Sequence, residues 1–400
     1  MAAFNRERQD VQIQVVEYWD GSWEEEAWTA AERRFATDLM SGRVPDIILV
    51  SRDMRDALIR QGLLADLYAF IDADPVLDRS DFFPNILGAL EAPDGSLPTI
   101  SYSFAIETMI GMADAVGEMP SWTFAEMLAL IEQFNPQFIL GEWTTAEMFL
   151  DMALQFSGQD FINWSENRAN LDSEAFIQLL EISARLPHVL APWDFGDMDR
   201  MGDNISPEMR MLRGEQLLTL IYLSRPCDYQ MYVGLFGDDL VALGLPTQGG
   251  GAHLIHMFDG LAISANSPNQ DAAWDFIRRF LLPDIGQLWS FPLRLDLFDE
   301  QLAAARVPFM VVDEDGNEVE HPLGARGAGD FMVDLYALTD AEERGLRAIV
   351  ENAHIMGHFD ETVSEMVREE TIPFFAGDRS AADTARILQN RIQTFLSERQ

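Results

Sequence analysis

The sequence predicts an α/β protein with two cored domains. Three observations predict it: strand and helix patterns alternate through residue 71, the middle of the chain carries several helix start signals, and 400 residues can enclose more than one core.

The elements follow in order. Residues 11–19, VQIQVVEYW, alternate apolar and polar side chains in their first half, a strand signal. In 24–42, Trp28, Ala31, Phe35 and Leu39 share one helical face, acids crowd the start, and Gly42 suits the C-cap. Residues 44–51, VPDIILVS, read as a short buried strand, and 55–71 as a helix broken at Gly62. This alternation predicts a parallel sheet. Pro93-Asp94-Gly95 forms a turn running into a strand through Ile110, in which Thr99, Ser101 and Ser103 alternate with large apolar groups and Glu107 interrupts them. From about 121 to 220 the pattern is helix-rich, with Ser121, Asp172 or Ser173, and Ser206-Pro207 as helix starts; the last of these helices is expected to run through LLTLIYL. LVALGLPTQGGGAH reads as a strand and glycine-rich loop, 258–281 as a strand, a Ser-Pro-Asn turn and a helix, 309–323 as a hairpin, and the tail as a last amphipathic helix.

Composition excludes several functions. A net charge of −40 opposes binding to nucleic acid or anionic lipid, and no apolar run reaches membrane-spanning length. The 27 basic residues are all Arg, which removes a Walker A lysine, a pyridoxal-phosphate Schiff base, a Ser-Lys dyad and a kinase lysine. Cys227 is the single cysteine and reads as inert; the N-terminus has no signal-peptide core.

No catalytic or metal motif emerges. His253 and His256, and His354 and His358, lack the glutamate of H-E-x-x-H; DEDGNE lacks calcium-loop spacing and reads as a hairpin turn; GGGAH is no phosphate cradle. No cofactor and no metal are expected. The aromatic residues say more. Trp19, Trp143 and Trp289 stand at predicted strand ends, where open α/β sheets bind ligands. Rings beside hydroxyls and carboxylates suit a polyol with apolar C–H faces.

The segments FNRERQDVQIQVVEYW, DLMSGRVPDIILV, GLLADLYAFIDADP, DGSLPTISYSFAIETMIG, SWTFAEMLALIEQF, GLAISANSPNQDAAWDFIRRFL and ETIPFFAGDRSAADTARILQNRIQTFL, in this order, resemble the extracellular solute-binding proteins of ABC importers, family 1, the maltose-binding-protein-like group. The resemblance covers essentially the whole chain. It implies a two-lobed periplasmic-binding-protein-like fold (type II) with a hinge of crossing strands. Lobe 1 would take 1–104 and 261–295, lobe 2 would take 105–260 and 296–400, and the strand after Asp94-Gly95 would be one crossing. It also implies a strand and helix preceding this chain's first residues, so a shortened N-terminus is expected.

The implied protein is a monomer outside the cytoplasm, a lipoprotein or periplasmic. It would close on a sugar or oligosaccharide between its lobes and deliver it to an ABC permease, with no chemistry. Candidate contacts are Trp19, Asp20, Ser51, Tyr102, Glu107, Trp143, Arg225, Trp289 and Arg294. The alternatives are a polyamine or other cationic solute caged by rings and carboxylates, a carbohydrate-active hydrolase with two carboxylates facing across a cleft, and a sensor partner of a membrane kinase.

Overall fold

The computed structural model describes all residues except 1, 20, 23–24, 118–121, 142–143, 189–204, 258–259, 284–289, 329–330, 358 and 399–400. The chain starts with α1 (Ala2–Glu7), α2 (Glu25–Met40), β1 (Ile47–Val50), α3 (Arg52–Arg60), α4 (Leu67–Ala73) and α5 (Pro84–Leu90). Next come β2 (Ser103–Met112), α6 (Ala113–Val116), α7 (Phe124–Phe134), α8 (Ala146–Phe161), β3 (Ile162–Asn163), β4 (Arg168–Ala169) and α9 (Glu174–Ser183). The third stretch holds α10 (Pro207–Leu212), β5 (Leu218–Leu223), α11 (Pro226–Phe236), β6 (Leu240–Ala242), β7 (Leu254–Met257), β8 (Gly260–Ile263), α12 (Gln270–Ile277) and β9 (Phe291–Pro292). The chain continues with α13 (Leu295–Ala305), β10 (Phe309–Val312), β11 (Glu318–His321), β12 (Gly324–Ala328), β13 (Phe331–Leu335), α14 (Asp340–Asn352), β14 (Ile355–Met356), α15 (Glu361–Phe375) and α16 (Ala381–Glu398). These elements group into two units. Unit 1 is 1–103, 257–288 and 292–297; unit 2 is 104–256, 289–291 and 298–400.

In unit 1, β1 pairs antiparallel with β8, from Ile47 opposite Ile263 to Val50 opposite Gly260. Phe35, Ile48, Val50, Leu58 and Ala262 bury around this pair. Gly42 and Gly62, at φ 76° and 64°, follow α2 and α3, where a left-handed residue closes a helix. The helix break at Gly62 is therefore as the sequence predicts. Two expectations are corrected. The parallel sheet of the opening segment is an antiparallel ladder, because β1 takes its partner from the returning chain. Residues 11–19 form no strand: Val15 and Val16 are 53% and 58% exposed, and among the described residues no neighbour supplies ladder hydrogen bonds.

In unit 2, a six-stranded sheet runs β14-β7-β2-β5, with β6 and β9 also pairing β2. β5 and β6 lie antiparallel to β2, and β14 parallel to β7. The helix expected through LLTLIYL is corrected: α10 stops at Leu212, Gly214 takes φ 70°, and the β-branched and aromatic run that follows is β5. Side-chain caps set the helix starts. Thr123 and Glu126 form a capping box on α7, and Thr145, Ser173 and Ser206 cap α8, α9 and α10. Ser121, the start predicted for α7, lies outside the described residues. The core centres on Phe124, Phe161 and Phe176, whose rings stand 6.2 and 5.1 Å apart in succession. The C-terminal helix α16 closes it with Gln389 and Gln393, which each exchange hydrogen bonds with the backbone around β4.

Candidate functional site

The turn at Pro93-Asp94-Gly95 forms as its residues predict, with Gly95 at φ 81° and its N–H donating to the Ala92 carbonyl at 2.9 Å. Beyond it Thr99, Ser101 and Ser103 are all buried. Ser101 Oγ donates to the Ser103 carbonyl at 2.8 Å, and Thr99 Oγ1 accepts from Arg55 Nε at 3.3 Å. The Ser101 and Thr99 hydroxyls are thus spent within the protein's own structure.

Glu107 differs. It lies in the middle of β2, directly opposite Tyr222 of β5. His256 Nε2–H donates to Glu107 Oε2 at 2.6 Å, and the His256 ring centre is 5.4 Å from that of Tyr222. Three adjacent strands, β7, β2 and β5, thus bring an imidazole, a carboxylate and a phenol together on one face of the sheet. The Glu107 and His256 side chains are 21% and 26% exposed and Tyr222 is 44% exposed, so the cluster is open to solvent.

The chain leaving β5 is fixed tightly beside it. Asp228 Oδ2 accepts from the Ser224 N–H, the Ser224 hydroxyl and the Arg225 N–H at 2.8–2.9 Å. Asp228 Oδ1 pairs with Arg326 at 2.8 Å, and Arg326 also donates to Cys227 Sγ at 3.2 Å. Partial burial raises the Tyr222 pKa above the ordinary phenol value, and the charges of Glu107 and Asp228 add to this. The phenol therefore keeps its proton and can donate. The cluster offers one flat ring, one O–H donor and a carboxylate held in place, groups whose chemistry suits hydroxyls.

Of the residues named from the sequence, Glu107 and Arg225 belong to this part of unit 2. Trp19, Ser51, Tyr102 and Arg294 are in unit 1. Trp19 donates Nε1–H to the Ser22 carbonyl at 2.7 Å, and Ser51 is exposed at the N-terminus of α3. Tyr102 stacks on Phe280, and its carbonyl accepts from the Leu293 N–H, next to Arg294. Arg294 forks onto both oxygens of Asp296 at 2.9 and 2.6 Å. Asp20, Trp143 and Trp289 lie outside the described residues. Sequence reasoning missed Tyr222 and the role of His256; strand alternation places them on the Glu107 face only once the pairing of β5 and β7 with β2 is known.

The histidines are engaged separately. His253 Nδ1 is 2.8 Å from Thr108 Oγ1, and His354 Nδ1 is 2.8 Å from the Asn352 carbonyl; His358 lies outside the described residues. Among the described residues no three His, Cys, Asp or Glu side chains are grouped to hold a metal. In DEDGNE, Asp313 Oδ1 accepts from the Asp315 and Asn317 N–H groups, the predicted hairpin turn.

Burial lowers the His253 pKa to about 4, with the His354 charge adding to it. An unfolded histidine titrates near 6.5. As pH falls below that value the unfolded chain takes up the proton first, so stability drops between about pH 6.5 and 4 and this contribution is exhausted below. The full effect is roughly 3 kcal/mol. Urea unfolding of His253→Gln is expected to show a flatter stability profile across that window than the unsubstituted protein.

Residues 1–290 match the family described as bacterial extracellular solute-binding protein. No curated protein matches the sequence. Among solved structures, the sugar-binding protein MalE of the phytopathogen Xanthomonas citri aligns with 100% of this chain and 93% of its own, at TM-score 0.59 and 17% identity. The cyclic alpha-maltosyl-1,6-maltose binding protein of Arthrobacter globiformis covers 99% of this chain and 94% of its own, at 0.53 and 15%. An ABC substrate-binding protein of Listeria monocytogenes, in complex with cycloalternan, also covers 99% and 94%, at 0.52 and 16%. At these identities the likeness establishes the fold, that of maltose-binding-protein-like chains.

Proposed function

The chain belongs to the family of bacterial extracellular solute-binding proteins, and from that premise we propose that it captures a carbohydrate, a sugar or short oligosaccharide, and delivers it unchanged to an ABC transporter permease. The observation that carries the solute class is the half-exposed Tyr222 ring beside a Glu107 carboxylate held by His256. A ring face covers the apolar C–H face of a sugar, and a fixed carboxylate accepts from paired hydroxyls. The three structural neighbours named above support the choice: one is named for binding sugar, one for binding cyclic alpha-maltosyl-1,6-maltose, and one is in complex with cycloalternan.

A hydrolase needs an acid and a second carboxylate, both free to act on one bond. Among the described residues Asp228, the second acid whose charge acts on Tyr222, has both oxygens committed to Ser224, Arg225 and Arg326. The family acts outside the cytoplasm, and no described helix is long and apolar enough to cross a membrane.

Calorimetric titration with maltose, linear and cyclic glucans, and spermidine tests the reading. Saturable binding of a carbohydrate, with the sugar recovered intact, is expected. Binding of spermidine alone, or appearance of hydrolysis products, would overturn it.

A further inference from the structure

The strands β12 and β13 form a hairpin that pairs with no further strand among the described residues. One face of it lies on α11. Arg326 of β12 stands directly opposite Val333 of β13, so the two side chains share that face. Val333 fills the space that Gly234 of α11 leaves open; a Cβ at 234 would run into Val333 Cγ1. Gln230 of α11 donates Nε2–H to the Tyr336 carbonyl at 3.0 Å, just past the end of β13. At the first turn of α11, Arg326 pairs with Asp228 Oδ1 at 2.8 Å and donates to Cys227 Sγ at 3.2 Å.

The Arg326 contact does more than dock the hairpin. Asp228 faces two ways. Its Oδ2 accepts from the Ser224 N–H, the Ser224 hydroxyl and the Arg225 N–H, and so holds the turn that leaves β5. Its Oδ1 is held by Arg326. Three donors meet one oxygen in good geometry only while the carboxylate keeps its charge and its orientation, and a guanidinium on the other oxygen fixes both. The Asp228 and Arg326 side chains are 14% and 33% exposed, so this pair is screened less than a fully solvated one. The turn matters to the candidate site because β5 has β2 as its only strand partner among the described residues. The end of such a strand frays unless the chain beyond it is held. Tyr222 is the last residue but one of β5, two positions before Ser224.

We propose that Arg326 is a positioning residue for the solute site: through Asp228 it holds the Ser224–Arg225 turn and, with it, the Tyr222 ring against the carbohydrate. The solute is that of the reading above, on which this part rests; the hold on the turn rests on the hairpin geometry alone.

The test pairs carbohydrate affinity by calorimetry with backbone hydrogen–deuterium exchange in variants of the full chain, each shown folded by circular dichroism. Arg326→Met keeps the aliphatic stem and removes the charge. It is expected to weaken affinity about 10-fold and to speed exchange at the Ser224 and Arg225 N–H groups. Arg326→Lys returns a cation to Asp228 and should recover part of both. In a Tyr222→Ala background Arg326→Met should weaken affinity much less, because the ring it positions is gone. Met332→Ser, on the other face of the hairpin at 70% exposure, should leave affinity and exchange unchanged. A lower melting temperature in Arg326→Met, with affinity and exchange at 224–225 unchanged, would reduce the residue to hairpin docking and overturn the proposal. The full 10-fold loss in the Tyr222→Ala background would overturn it as well. If the unsubstituted chain binds no carbohydrate, the solute class falls and exchange decides: faster exchange at 224–225 in Arg326→Met upholds the hold on the turn, and unchanged exchange overturns it.

Discussion

Tyr222→Ala is expected to weaken carbohydrate binding by about 30-fold, with folding unimpaired. Truncating an aromatic anchor in a recognition site typically costs about 2 kcal/mol, which is that factor. The ring is 44% exposed, so its loss opens no core cavity, and Leu223 beside it stays fully buried. Tyr222→Phe should recover most of the affinity if stacking dominates and little if the O–H donor does. The raised pKa keeps that donor protonated through neutral pH. Calorimetry on the three proteins, with far-ultraviolet circular dichroism as the folding check, separates these contributions. An unchanged affinity in Tyr222→Ala would remove Tyr222 from the site.

The largest effect on stability is expected at Asp74, in unit 1. Its side chain is 2% exposed, and its backbone N–H closes the C-terminal end of α4 by donating to the Ile71 carbonyl at 3.1 Å. It accepts from Trp274 Nε1 at 2.9 Å and from the Val76 and Leu77 N–H groups at 2.9 and 3.2 Å, and it pairs with Arg278 Nε at 2.8 Å. Phe70 of α4 stacks on Trp274 of α12, so the carboxylate ties together two helices that already touch. Asp74→Ala leaves a partly buried guanidinium, an indole N–H and two backbone N–H groups without their acceptor. A loss of about 3–5 kcal/mol is expected, read by urea unfolding. Burial alone would raise the Asp74 pKa, but the N–H donors and the Arg278 charge outweigh it and the net shift is downward. A carboxylate with a depressed pKa stabilises the fold above its unfolded value near 4, and that contribution is lost as pH falls through the folded value. The unsubstituted protein should therefore lose this part of its stability below about pH 4, and Asp74→Ala should not.

What the sequence made legible was mostly local. Ser173 and Ser206-Pro207 announce helix starts because a cap is satisfied within three or four residues, whereas the Thr123 and Thr145 caps, equally local, went unread and Ser121 was named in place of Thr123. Gly62 and Gly95 announce a break and a turn for the same reason. Pairing was not legible. Residues 11–19 alternate as a strand should, yet a ladder needs a neighbour that periodicity does not supply. LLTLIYL carries β-branched and aromatic residues, but its place after a well-capped helix favoured reading it as more helix, and only Gly214 marked the change. The site had the same limit. Glu107 stands out because an acid interrupts an apolar run. His256 is 149 residues away and acquires meaning only when β7 lies beside β2. The order of seven loosely matching segments supplied the family, which no single motif would have done.

On this reading the Glu107, Tyr222 and His256 face of unit 2 holds the solute. Hydrogen–deuterium exchange, with and without a saturating carbohydrate identified by calorimetry, tests it most directly. Slower exchange is expected in the turn from Tyr222 to Asp228, whose backbone N–H groups at Ser224 and Arg225 are bonded to Asp228, and in β2 around Glu107. Unchanged exchange in both segments, with protection elsewhere, would contradict it.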